Sequence, residues 1–170
     1  RVHGGAVFPT GSVERLSLKD RIGMNREGKR VLSEAACDFI KDGDIIAIDT
    51  GSTAAEFADI LCLRFNELTV ITHSIDVFER LQGKNGFKII LVGGMFLPDE
   101  KAFCGITALE TYKMLHFDKV FITPAAVSLK NGITDCGEVL MTVERQMLES
   151  ADRVFVLADS EKFEKTALYR

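Results

Sequence analysis

The chain has 170 residues, a formal net charge of −4 and a sequence pI of about 5.4, with 46% hydrophobic and 27% charged residues. That length suits one domain with a substantial core. The mildly acidic balance argues against direct DNA binding, which relies on clustered Lys and Arg. No apolar run reaches the roughly 18 residues that would suggest a membrane span, and Arg1–Ala6 lacks the apolar stretch of a signal peptide.

Residues 1–18 show no periodicity and contain Gly4, Gly5, Pro9 and Gly11, so they read as a linker or extended arm, with the folded domain over 19–170. Cys37, Cys62, Cys104 and Cys136 form no C-x-x-C pair and predict reduced thiols in a cytoplasmic protein with no metal centre. From Asn25 to Ile40, the residues Val31, Leu32, Ala35, Ala36, Phe39 and Ile40 recur at helical spacing. Gly43 suits the left-handed stop of that helix.

Ile45–Ile48 is a short apolar run that ends in Asp49-Thr50-Gly51-Ser52-Thr53 and leads into a helical segment over Ala54–Arg64. Further runs over Leu68–Thr72, Phe87–Val92, Lys119–Thr123 and Arg153–Ala158 alternate with helical patterns over Ile75–Leu81, Thr107–Leu115 and Glu138–Ser150. Apolar strands alternating with helices predict a mostly parallel α/β sheet with helices on both faces. In such sheets ligands bind outside the carboxyl ends of the strands.

The residues at those ends are small, hydroxyl-bearing or charged. Asp49, Thr50, Gly51, Ser52 and Thr53 form a strand-to-helix turn whose amides and hydroxyls suit a phosphate or other anion. A helix N-cap explains part of this turn, but an acid and two further hydroxyls exceed what capping needs. Thr72 and Ser74 read either as caps for the next helix or as ligand contacts, with His73 between them. Gly93-Gly94 permits either a turn or close backbone approach to a ligand. Lys162 is either solvated or a phosphate counter-charge, and Asp135 and Glu138 read as caps for the helix that follows.

Other chemistries fit poorly. There is no Gly-x-Ser-x-Gly elbow, no Walker lysine after the turn and no Gly-x-Gly-x-x-Gly after the first strand. His3, His73 and His116 are not paired at ligand spacing. This narrows the expected ligand from a nucleotide to a small sugar phosphate.

The ordered set of motifs resembles the C-terminal effector-binding domain of the DeoR family of bacterial transcriptional repressors. The resemblance rests on Arg1–Ala6, Gly43-Asp44, Asp49–Thr53, Thr69–Ser74, Leu91–Gly94, Phe103–Gly105, Asp118–Ile122, Gly132–Asp135 and Asp159–Phe163. It implies a Rossmann-like fold similar to ribose-5-phosphate isomerase and CoA transferases. It also implies a sugar phosphate effector and no other cofactor. Operator DNA would be bound by an N-terminal winged helix-turn-helix absent from this chain. The chain would form a dimer or tetramer and, in the family, would continue past Arg170.

Residue by residue, the resemblance implies that Asp49 holds sugar hydroxyls and that Thr50–Thr53 line the anion turn. Gly93, Gly94 and Gly105 would shape the pocket floor, Asp135 and Glu138 would sit near its mouth, and Lys162 would reach the phosphate or sugar end. His73 stands where the family commonly has Asn, which suggests a pH-sensitive contact. Thr123–Val127 also departs from the family pattern. A sugar-phosphate isomerase on the same fold is the alternative, with Asp49, Asp135 or Glu138 as base and Lys162 as cation.

Overall fold

The computed structural model describes residues 16–170. Most of the linker reading for residues 1–18 therefore lies outside the described residues. Its last residues carry the start of helix α1 (Leu18–Ile22), which Ser17 caps by accepting from the Asp20 amide. The chain continues through α2 (Arg26–Cys37), β1 (Ile45–Ile48), α3 (Ser52–Arg64), β2 (Leu68–Thr72), α4 (Ile75–Leu81) and β3 (Phe87–Leu91). Then come β4 (Met95–Leu97), a 3-10 turn (Pro98–Glu100), β5 (Ala102–Cys104), α5 (Gly105–Lys113) and β6 (Phe117–Ile122). The last elements are β7 (Ala126–Ser128), β8 (Gly132–Thr134), α6 (Glu138–Glu149), β9 (Ala151–Val156) and a 3-10 turn (Ser160–Lys162).

The main sheet has five parallel strands in the order β3-β2-β1-β6-β9. Alternation along the strands sends side chains to two separate cores. Ile46, Ile48, Val70 and Phe121 pack with Phe57, Leu61 and Val77 of α3 and α4, together with Ala36 and Cys37 of α2. Ala47, Ile71, Val120 and Ile122 pack with Tyr112 of α5 and with Leu140, Val143 and Met147 of α6. Both faces of the sheet are therefore covered, as the near-continuous apolar strands require.

Two short antiparallel hairpins lie outside the main sheet, β4–β5 and β7–β8. Their strands span three residues each, too few for a period-2 pattern to stand out. The β4–β5 hairpin is pinned to the end of β2. Phe103 N donates to the His73 carbonyl at 2.8 Å and Ile75 N to that of Lys101 at 2.8 Å. At the amino end of the central strands β1 and β6, Lys119 Nζ pairs with Asp44 Oδ2 at 2.6 Å, with both side chains buried. No helix among the described residues is long and apolar enough to cross a membrane.

The strand order reverses at β1. The chain first winds outward through β2 and β3, then returns to place β6 on the other side of β1. That reversal opens a crevice at the carboxyl ends of β1 and β6. Asp49–Thr53 follows β1 and Thr123 follows β6, so both lie at the crevice.

Candidate functional site

Helix α3 starts slightly earlier than the apolar pattern suggests, at Ser52. Gly51 is its N-cap, with φ 121° and no side-chain hydrogen bond to the first turn. That backbone conformation favours glycine. Space is tight as well, since a Cβ here would lie 3.0 Å from Thr123 Oγ1 and 3.7 Å from Arg21 Nη1. The first turn of an α-helix has amides without intrahelical acceptors. In α3 that turn is formed by the buried Ser52, Thr53 and Ala54. Its free amides and the positive end of the helix dipole meet at the start of α3, where Ser52 and Thr53 also carry hydroxyls.

The turn is braced from behind. Asp49 Oδ2 accepts from Thr123 N at 2.9 Å, and Thr123 Oγ1 donates to the Thr50 carbonyl. Thr50 Oγ1 donates to the Glu100 carbonyl at 3.1 Å. The Thr123 contacts tie β1 to β6, and Thr50 ties the turn to the Pro98–Glu100 segment.

Asp49 and His73 are fully enclosed. Asp49 Oδ1 lies 3.6 Å from His73 Nε2, and neither atom has a hydrogen-bond partner. The other ring nitrogen, His73 Nδ1, meets the Tyr112 hydroxyl at 3.0 Å. Burial pushes the Asp49 carboxyl up to about 7, partly offset by the Thr123 and Thr50 amides. Burial also pulls His73 down to about 4. The imidazole is therefore neutral at neutral pH, and the pair is not an ion pair. This corrects the expectation that His73 titrates near neutrality. The Tyr112 phenol is held well above its ordinary value by burial, with the Asp49 charge as a second cause.

Cations gather on the outer side of the turn. Arg21 of α1 sits over Gly51 with Nη1 and pairs with Glu100 through Nη2. Lys29 is buried and donates to the Arg21 and Met24 carbonyls, each at 2.6 Å. Lys162 is half-buried, and its ammonium is lowered by burial, a cost that the Asp159 charge opposes. The positive charge of Arg21 lowers both lysines further, which shows that the three are close enough to repel.

The other expected residues divide into groups. Ser74 caps α4 by accepting from Val77 N at 3.3 Å, and Thr72 Oγ1 accepts from Ser74 N at 3.1 Å. Ser74 therefore does the capping work that was one of its two readings, while Thr72 holds the amide of that cap residue. Asp135 is not the cap of α6. Its carboxylate accepts from Ala125 N, Cys136 N and Gly137 N and so holds the β6–β7 and β8–α6 connections together. Its charge still reaches Asp49 and Lys162. Gly93 and Gly94 are exposed beyond β3. Gly94 is required because a Cβ would stand 2.4 Å from the Cys104 carbonyl across the hairpin. Gly105 opens α5 with φ 82°. Glu138 is exposed and lines a groove between α5 and α6 with Lys113, Met141, Arg145 and Tyr169. The structure therefore brings Asp49–Thr53 and Thr72–Ser74 together, with Lys162 and Asp135 beside them. It places Gly93, Gly94 and Gly105 on the hairpin side and Glu138 in another groove.

Sequence reasoning missed Arg21, Lys29, Glu100 and Tyr112. Arg21 comes from a five-residue helix too short to show a period. Tyr112 reads as one more large residue on the apolar face of α5. Thr123 was visible as a strand-end residue, but its bracing of Thr50 was not.

A Rossmann-like α/β domain is the class that this sheet and its crevice define. The fold is similar to that of ribose 5-phosphate isomerase A from Methanocaldococcus jannaschii, with a TM-score of 0.60 and 20% identity over 83% of this chain and 56% of that one. Residues 24–170 match the sequence profile of the DeoR C terminal sensor domain, and the chain belongs to that family. Its relatives include the transcriptional repressor AccR of Agrobacterium fabrum, 33% identical over 99% of this chain and 65% of the relative. The HTH-type transcriptional repressor GlcR of Bacillus subtilis is 32% identical over 100% of this chain and 65% of the relative. The chain thus spans a little under two thirds of the length of these relatives.

Proposed function

We propose that this sensor domain binds a phosphorylated sugar and that occupancy modulates operator binding by a separate DNA-binding domain of the whole protein. The observation that carries the reading is the start of α3. Thirteen residues of helix begin at a glycine that supplies no side-chain cap, with Ser52 and Thr53 beside it. The ester phosphate takes the Ser52, Thr53 and Ala54 amides and the two hydroxyls. Lys162 provides counter-charge from the far side. Asp49 Oδ1, buried without a partner, serves as acceptor for a sugar hydroxyl that enters between the turn and His73.

Regulation follows from differential affinity. The ligand must bind one conformation of the repressor better than the other, and it shifts the population by that ratio alone. A symmetric operator favours a homodimer or tetramer, and a cytoplasmic protein is the reading that fits free cysteines. Relatives named as transcriptional regulators support a domain without catalysis.

A thermal-shift screen against pentose and hexose monophosphates tests the reading. A ligand that binds only the folded chain raises the melting temperature by mass action. One phosphorylated sugar should do so while its dephosphorylated form does not. Ser52→Ala and Lys162→Ala should each weaken the response by about tenfold in ligand concentration, a loss of one charge-assisted hydrogen bond. The exposed Glu79→Ala should leave it unchanged. Equal response to the dephosphorylated sugar would remove the phosphate assignment. Turnover of the sugar phosphate in a coupled isomerase assay, lost on Asp49→Ala, would replace the sensor reading with the enzyme one.

A further inference from the structure

Arg21 occupies a position that neither the sheet nor the turn explains by itself. It belongs to α1, the first described element. Its Nε donates to the Leu16 carbonyl at 3.1 Å, which bends the side chain back along its own segment. Its Nη2 pairs with Glu100, which is 3% exposed, and its Nη1 stands 3.7 Å from where a Gly51 Cβ would be. One guanidinium therefore touches a buried carboxylate and overlooks the start of α3 at the same time.

We propose that Arg21 is a ligand-contacting residue, and that a phosphate ester seated on Gly51–Thr53 competes with Glu100 for its guanidinium and thereby acts on α1. This inference rests on the phosphate reading given above. Three observations support it.

The first is reach. Arg21 Nη1 stands 3.7 Å from where a Gly51 Cβ would be, next to the residues that would seat the anion. The guanidinium fork presents two parallel N–H donors, the geometry that matches phosphate oxygens.

The second is charge. Lys29 and Lys162 both feel Arg21 as a repelling neighbour. Their combined field favours a doubly charged ester over the single charge of a carboxylate. Asp159, which accepts from Asn25 Nδ2 at 3.2 Å, is the nearby acid that opposes this field at both lysines.

The third is attachment. Leu18 is the buried apolar anchor of α1. The helix is also held by the Arg21–Glu100 pair and by Lys29 Nζ on the Arg21 and Met24 carbonyls. Glu100 lies in the same 3-10 turn whose carbonyl receives Thr50 Oγ1. A change of partner at Arg21 is therefore felt both by the anion turn and by α1, the first described element.

Calorimetric titration of the 170-residue chain with ribose 5-phosphate, glucose 6-phosphate and inorganic phosphate tests the inference. Glu100→Gln removes the competing charge and should tighten binding of the best probe by about threefold or more. Arg21→Gln should weaken it by about tenfold or more, and Arg21→Lys should fall between, since it keeps the charge and loses the fork. In the Arg21→Gln background, Glu100→Gln should give no gain. The probe should change amide exchange over Leu18–Ile22 in the unaltered chain and not in Arg21→Gln.

Binding by Arg21→Gln equal to that of the unaltered chain overturns the inference and leaves the phosphate reading standing. So does weaker binding by Glu100→Gln with unchanged thermal unfolding. If Arg21→Gln does not fold, the Glu100→Gln titration decides. If none of the three probes binds the unaltered chain, the phosphate reading fails and this inference fails with it.

Discussion

Replacing Asp49 with asparagine should make the protein more stable at alkaline pH and change its stability little at acid pH. Burial holds the Asp49 carboxyl at about 7, against about 3.9 in an unfolded chain. The folded state therefore keeps its proton where the unfolded state has lost it. That stabilising contribution is fully present below the unfolded value and disappears as pH rises through the folded one. The whole displacement corresponds to about 4 kcal/mol, of which about 2–3 kcal/mol falls between about pH 5 and about pH 8. The asparagine side chain would carry no proton to lose. Its carbonyl still accepts from Thr123 N, and its amide faces His73 Nε2, which has no hydrogen-bond partner in the parent. The stability difference between Asp49→Asn and the parent should grow by about 2–3 kcal/mol from about pH 5 to about pH 8, then level off. Urea unfolding followed by circular dichroism would show this as a midpoint shift of about 1 M at the alkaline end. His73 titrates low in both proteins, at about 4 in the parent, so its acid-side loss largely cancels in the difference. A stability difference independent of pH, or a variant less stable than the parent at about pH 8, would refute the claim that Asp49 is a buried, proton-retaining carboxyl.

Three further outcomes follow from contacts away from the anion turn. Gly86→Ala should destabilise the fold by about 2–3 kcal/mol in chemical denaturation, by overpacking and backbone strain. The cause is a φ of 87° and a Cβ that would stand 2.0 Å from the Asn66 carbonyl oxygen. Lys119→Met should cost about 3 kcal/mol, because it leaves Asp44 buried without its cation. Thermal unfolding of Lys119→Met and of the double variant Asp44→Asn/Lys119→Met separates the loss of the pair from the stranded charge, and the double variant should recover part of the cost. Tyr112→Phe removes the hydroxyl that meets His73 Nδ1 and should cost about 1–2 kcal/mol of stability in urea unfolding.

The sheet was legible in the sequence because its strands are buried on both faces. Ile45–Ile48, Leu68–Thr72 and Phe87–Leu91 stand out as apolar runs between charged or glycine-rich stretches, and each ends within a residue of its expected position. The turn at Asp49–Thr53 was legible because an acid, a glycine and three hydroxyls after a strand are unusual together. The accessory hairpins were not, since β4, β5, β7 and β8 are short and are defined by pairing with each other. Burial reversed the expectation of a pH-sensitive His73, because the enclosure that keeps its ring neutral comes partly from Tyr112 of α5, a contact made only by the tertiary fold. Arg21 was invisible for a different reason. Its importance comes from tertiary proximity to Gly51 and Glu100, some 30 and 79 positions away along the chain.

The central claim is that the start of α3 receives a phosphate ester. Phosphorus NMR of a sugar monophosphate titrated with the chain observes that group itself. The expected result is a shifted or broadened phosphorus resonance that saturates with protein and is weakened by Ser52→Ala, with protection of the Ser52–Ala54 amides in the matching proton–nitrogen spectrum. A binding sugar phosphate whose phosphorus resonance does not move, or whose binding protects amides elsewhere and leaves Ser52–Ala54 unchanged, would contradict it.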